Sequence, residues 1–173
     1  MSKISYGDVA LEYGAAINRL ARAYEADPEI CRDLLQDIHV ALWKSLRSFD
    51  GRCSLRTWVY RVAHNVAASH VLRRVRERMR RTVSLEELDV AANKEDAEMV
   101  LDRRQAFEKL MELIRRLNPL DRQIILCYLE GMDAPAIGEI TGMSSGAVTT
   151  KVHRIKNVLV RKFHGTELKH GER

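Results

Sequence analysis

Apolar residues return at steps of three and four along most of this chain, and the gaps between these stripes hold proline, glycine and short polar side chains. Val9, Tyr13, Ala16, Ile17, Leu20 and Tyr24 keep helical period and predict an amphipathic helix from about Asp8 to Glu25. Asp27-Pro28-Glu29 then supplies an N-cap, a proline where a first turn accepts one, and an acidic first turn. A second helix starts there, striped by Ile30, Leu34, Leu35, Ile38, Leu42, Trp43 and Leu46, and Phe49-Asp50-Gly51-Arg52-Cys53 ends it with a turn. Ser54 is the expected N-cap of a third helix, whose face of Leu55, Trp58, Val59, Val62, Val66 and Ala67 should be buried. No glycine or proline stops that helix before Arg81.

From Thr82 to Asp96 the apolar positions thin out among acidic residues, which reads as a linker. Periodicity resumes in Val100, Leu101, Phe107, Leu110, Ile114 and Leu117, a helix from about Ala97 to Leu117. Asn118-Pro119 restarts a helix with the same cap chemistry as Asp27-Pro28, and Gly131 closes it. Asp133 can cap a short helix ending near Thr141, Gly142 turns, and Ser144 can cap a last helix to about Phe163. Alternating strands are absent, so the expected fold is all-α with two small helical domains. Residues 1–81 form the first, 82–96 an acidic linker, 97–165 a C-terminal helix-turn-helix domain and 166–173 a polar tail.

Charge changes this picture more than composition does. The 173 residues are 46% hydrophobic, enough for packed cores, and carry a net charge of +5. Residues 51–81 alone carry nine Lys or Arg against one acid, a surplus of +8, and six of the nine residues from Arg73 to Arg81 are Arg. Such a cationic rod fits a polyanion; the plainer alternative is a solvated helix face with arginines favouring the C-terminal dipole. Cys31, Cys53 and Cys127 lack disulfide or zinc spacing and are read as reduced, Cys31 and Cys127 in the core. No run approaches a membrane span, and the first residues lack the order of a signal peptide, which predicts a cytosolic protein without membrane insertion. No phosphate loop, metal spacing or nucleophile constellation is present, so neither enzyme activity nor a cofactor is expected.

Two further patterns carry candidate chemistry. Asp33, Gln36 and Asp37 share one face of the second helix at i, i+3 and i+4, either as solvated surface or as a dock for a partner. The segment DAPAIGEITGMSSGAVTTKVHRIKNVL has helix-turn-helix spacing: Gly138 is small where backbones approach, and Ile137, Ile140, Val148, Val152 and Ile155 suit a shared core. If it binds DNA, its second helix presents Thr149, Thr150, His153 and Arg154 to base edges, with Lys151 and Lys156 toward phosphates and Ser145 as a further candidate DNA contact. An ordinary helical hairpin is the alternative.

DLLQDIHVALWKSL, FDGRCSLRTWVYRVAHNVAASHVLRR and LNPLDRQIILCYLEGMDAPAIGEITGMSSGAVTTKVHRIK, in this order and spacing, make the chain resemble bacterial RNA polymerase sigma factors of the extracytoplasmic-function type, in the sigma-70 family, over nearly its full length. The resemblance implies two helical domains that bind core RNA polymerase, the first reading and opening the −10 element and the second reading the −35 element of promoter DNA. It implies that Asp33, Leu34, Gln36 and Asp37 meet the clamp helices of the largest polymerase subunit. Phe49, Trp58 and Asn65 match positions that hold a flipped base, a role suited to stacking rings and an amide. Arg73, Arg74 and Arg76 would supply phosphate attraction. An anti-sigma protein is a further implied partner. The chain departs from the family in Pro135 and Ala136, where acidic residues are common, and in Gly138, where alanine is usual. A self-sufficient helix-turn-helix regulator is the competing function; it would bind its operator without polymerase and dimerise on a palindrome.

Overall fold

A computed structural model describes residues 5–81 and 100–167 as seven helices. The expected linker at 82–96 and residues 168–173 of the expected tail lie outside the described residues. The first three helices are α1 (Tyr6–Tyr24), α2 (Pro28–Ser45) and α3 (Leu55–Arg81); the second group is α4 (Val100–Arg115), α5 (Pro119–Leu129), α6 (Ala134–Thr141) and α7 (Ser145–Glu167). One 3₁₀ turn, Leu46–Ser48, follows α2.

The caps form where local chemistry put them. The Asp27 carboxylate accepts from the amides of Glu29 and Ile30, Asn118 from Asp121, Asp133 from Ala136, and Ser54 from Thr57. Gly142 closes α6 at φ 75°, a left-handed conformation that glycine adopts without strain. Gly138 has a different reason to be glycine: a Cβ there would lie 2.5 Å from the Met143 carbonyl oxygen. The turn between α6 and α7 therefore runs directly over the α6 backbone.

In the first unit, α1 and α2 pack on α3; in the second, α7 packs against α4, α5 and α6. Leu34, Ile38, Leu42, Val59 and Ala67 are fully buried in the first, and Ile114, Ile124, Ile137, Val148 and Ile155 in the second. The two sets belong to one continuous buried cluster, because α3 also packs on α5 and α6 and α1 packs on α4.

Three expectations change here. Trp43, assigned to the buried stripe of α2, is 54% exposed, since it falls at the edge of the face that meets α3. Cys31 is only partly buried, while Cys127 is fully buried. The helix α3 is buried on two faces rather than one: Thr57, Tyr60, Ala63, His64 and His70 are enclosed, whereas Trp58, Val62 and Val66 are only partly covered.

Candidate nucleic-acid interface

Two surfaces carry the residues singled out from the sequence. On α7, Thr149, Thr150, His153, Arg154, Asn157 and Arg161 line a shallow concavity of about 540 Å³. The side chains of this row are bonded within their own helix. The Thr149 and Thr150 hydroxyls donate to the Ser145 and Gly146 carbonyls, and Asn157 bonds the His153 ring at 3.2 Å. Ser145 is exposed at the start of the same helix. Arg154 is exposed beside this row, so a guanidinium and two hydroxyls face outward together. Lys156 donates to the Tyr128 hydroxyl and lies over its ring, at the rim. Lys151 does not join the row: it pairs with Asp121 of α5 and helps fasten α7 to α5.

On the first unit, Phe49 and Trp58 meet edge to face, with ring centroids 5.4 Å apart. The Trp58 indole donates to the Ser45 hydroxyl at 3.2 Å, which fixes the ring against the end of α2. Beside Trp58 is a concavity of about 380 Å³ lined by Asp50, Arg52, Cys53, Trp58, Arg61 and Glu139. Asn65 is exposed on α3, two turns beyond Trp58, or about 10 Å along the axis. It shares the helix face but does not line that concavity. Arg61, at i+3 from Trp58 and i−4 from Asn65, lies between them; sequence reading passed over it because it stands outside the arginine run.

The arginine run divides. Arg76 is exposed, and Arg73 is exposed and 3.7 Å from Asp37. Arg74 turns back to Glu25, which also meets His70. Burial alone would raise the Glu25 pKa, but the Asp27 amide, Arg74 and His70 together hold it below the usual carboxylate range. Arg74 thus ties α3 to the end of α1.

On α2, Asp33, Gln36 and Asp37 form an exposed acidic and amide face. Leu34 does not belong to it. Its side chain is fully buried under α3, so its assignment as a polymerase contact is corrected to a core role.

A set of contacts between the two units had no signal in the sequence. Glu130, the C-cap of α5, receives both Nε and a terminal nitrogen of Arg19 at 2.7 and 2.8 Å, and the Tyr60 hydroxyl at 3.2 Å. The hydrogen bonds from Arg19 hold the Glu130 carboxyl below its ordinary range against the effect of burial. Arg56 donates to the Glu130 carbonyl, and Arg61 to the Glu139 carbonyl at 3.0 Å. Beneath them, His64 bridges the units, with Nδ1 3.0 Å from the Tyr24 hydroxyl and Nε2 3.3 Å from the Cys127 sulfur. A neutral imidazole offers one donor and one acceptor and satisfies both partners. Complete burial pushes the His64 pKa down to about 3 and the Cys127 thiol up to about 12.

Among the described residues, no group of three or more His, Cys, Asp or Glu is arranged to hold a metal ion. No helix among them is long and apolar enough to cross a membrane.

This architecture is that of a two-unit helical DNA-binding protein, with a helix-turn-helix in the second unit. Residues 10–77 match the family model of sigma-70 region 2, and residues 107–159 match that of sigma-70 region 4. The RNA polymerase sigma factor YlaC of Bacillus subtilis is 30% identical over 129 residues, 74% of each chain. The RNA polymerase sigma factor NccH of Alcaligenes xylosoxydans is 25% identical over 166 residues, 95% of this chain and 89% of that one. In fold, the sigma factor RpoE of Bartonella quintana, solved with the anti-sigma factor NepR, superposes with a TM-score of 0.70 at 19% identity, covering 92% of this chain and 96% of that one. The chain belongs to the sigma-70 family of RNA polymerase sigma factors, in its extracytoplasmic-function group.

Proposed function

We infer that this chain is an alternative sigma factor that binds core RNA polymerase and directs promoter recognition and transcription initiation. The observation that carries the reading is the presence of both family regions in one chain. The first domain, residues 1–81, binds core polymerase and reads and melts the −10 element. Phe49, Trp58 and Asn65 take the unpaired base, and Arg73 and Arg76 draw in phosphates. A stacked base contributes roughly 1–3 kcal/mol, close to the few kcal/mol lost when it leaves the duplex, so phosphate attraction and polymerase contacts are needed as well. The second domain, residues 97–165, reads the −35 element through Ser145, Thr149, Thr150, His153 and Arg154, with Lys156 at the rim. The exposed face of Asp33, Gln36 and Asp37 supports docking on the polymerase clamp helices. An anti-sigma protein is a further partner. The chain acts in the cytoplasm as an initiation factor rather than as an enzyme.

Reconstituted run-off transcription tests this. Core polymerase plus the chain should yield transcripts from a subset of fragments in a genomic library that core polymerase alone leaves silent. No transcript from any fragment would refute the reading. Tight duplex binding by the chain alone would favour a self-sufficient regulator instead.

A further inference from the structure

We propose that Asn157 is a positioning residue for −35 reading, holding the His153 ring so that its Nε2–H faces the major groove as a donor to an acceptor on a base edge. The proposal deepens the −35 role given above to α7 and rests on it.

Ser145, Thr149, His153, Asn157 and Arg161 follow one another at steps of four, so they form a single exposed ridge along α7. Bonds run back along it one turn at a time. The Thr149 hydroxyl donates to the Ser145 carbonyl, the Asn157 side-chain nitrogen to His153 Nδ1 at 3.2 Å, and Arg161 Nε to the Asn157 carbonyl at 3.2 Å.

Position along the helix separates the reader from its support. The N-terminal residues of a recognition helix reach base edges, and the major groove is about 12 Å wide. At about 1.5 Å per residue, His153 lies about 12 Å along the axis from Ser145, whereas Asn157 lies about 18 Å along and Arg161 about 24 Å. His153 is therefore the last side chain of the ridge within reach of bases, and Asn157 and Arg161 stand at the far wall, beside the sugar-phosphate backbone.

An amide nitrogen only donates, so Nδ1 is the accepting, unprotonated nitrogen of the ring, and the proton of a neutral imidazole then sits on Nε2. Nε2 has no hydrogen-bond partner among the described residues, and the exposed ring lines the same concavity as Thr149, Thr150 and Arg154. In the major groove such a donor finds partners on guanine O6 and N7, adenine N7 and thymine O4, whereas cytosine presents only its amino group. Thr149 and Thr150 have the opposite sense. Their protons are engaged by the Ser145 and Gly146 carbonyls, which leaves oxygen lone pairs and methyl groups for a base amino group or the thymine methyl. Without the Asn157 amide, the His153 ring is free to turn and to carry its proton on Nδ1, so an accepting nitrogen can meet a cytosine amino group.

The full chain with core polymerase is tested on a promoter library randomised through the −35 element and scored by sequencing the transcripts. His153→Ala should relax preference at one base pair. Asn157→Leu, which keeps the branched shape but removes the amide, should relax the same pair by about fivefold, the worth of one fixed hydrogen bond. In the His153→Ala background it should change nothing further, because it acts through the ring. Nitrogen-15 NMR of labelled histidine in the free chain, well above the usual histidine pKa of about 6.5, reads the proton directly. His153 should show protonated Nε2 in the wild type and a share of protonated Nδ1 in Asn157→Leu. The proposal is overturned by protonated Nδ1 in the wild type, by unchanged selection in Asn157→Leu, or by additive effects of the two variants. A loss spread evenly over all sequences would also overturn it, marking Asn157 as a phosphate contact. Wild-type transcription with no preference anywhere in the −35 region would instead remove the −35 reading itself.

Discussion

The helices α3 and α7 are both expected to touch DNA, yet they meet their surroundings in opposite ways. On α7 the reading side chains face solvent and are bonded only within their own helix, while the opposite face is packed against α4, α5 and α6. On α3 the candidate residues divide: Asn65 faces solvent, while Arg56 and Arg61 beside Trp58 are engaged by carbonyls of the second unit and an uncharged histidine is sealed below. One helix is open along its row and the other is partly covered. The difference is one of coverage rather than composition, since α3 is the more basic of the two.

The largest effect expected concerns whether the two units share one core. Leu34→Ala in the first and Ile137→Ala in the second should each cost about 2–5 kcal/mol. Because the buried residues form one cluster, calorimetry should show a single transition lowered by either change. Two transitions, each moved by only its own variant, would break the comparison by separating α3 from its cover.

Acidification comes next and acts on the α3 side. Folded His64 stays neutral until about pH 3, whereas an unfolded histidine binds a proton near its usual value of 6.5. Between these values the unfolded chain holds more protons, so stability falls as pH drops below 6.5, by at most about 1.4 kcal/mol per pH unit. The groups around His64 are Tyr24, Tyr60 and Cys127, all neutral there. Below about pH 4.5 the depressed carboxyls of Glu25 and Glu130 add to the loss in the same direction. Urea denaturation between pH 7 and pH 5 reads the slope, and His64→Asn should flatten it. An unchanged slope would move the cause elsewhere.

Gly138→Ala probes the α7 side, where a new Cβ would meet the Met143 carbonyl. Overpacking of about 1–3 kcal/mol against roughly 1 kcal/mol of regained helix propensity leaves a net loss of up to about 2 kcal/mol. Equal or greater stability in denaturant would mean the turn yields easily. The smallest changes in stability, within about 0.5 kcal/mol, are expected for Asn65→Ala and Thr149→Ala, both exposed. They should differ in function: permanganate footprinting should show impaired melting with Asn65→Ala only, and Thr149→Ala should alter selection at the −35 element. Normal melting with Asn65→Ala would take that residue out of the opening step.

Much of this was legible because its causes are local. Asp27-Pro28, Asn118-Pro119 and Gly142 set helix ends through bonds to residues two to four positions away, and these bonds form as the spacing implies. The core of the helix-turn-helix was readable from Ile137, Val148, Val152 and Ile155 because each is plainly apolar. The second buried face of α3 was not, because Tyr60, Ala63, His64 and His70 are polar or small and add little to an apolar period. Leu34 is a different case: its spacing placed it in the apolar stripe of α2, where it is buried, and only the family resemblance put it among the docking residues. The contacts of Arg56 and Arg61 left no trace at all, since their acceptors are carbonyls that every residue possesses. Which unit covers which face is a tertiary fact.

The Cys127 thiol, enclosed between the units and shifted toward its inert protonated form, gives the molecule an internal clock. Cys31 and Cys53 are partly exposed and should react promptly with an aromatic disulfide reagent, while Cys127 waits for the units to part. The lag of the third thiol behind the first two would time each parting of the units in a native, unlabelled chain.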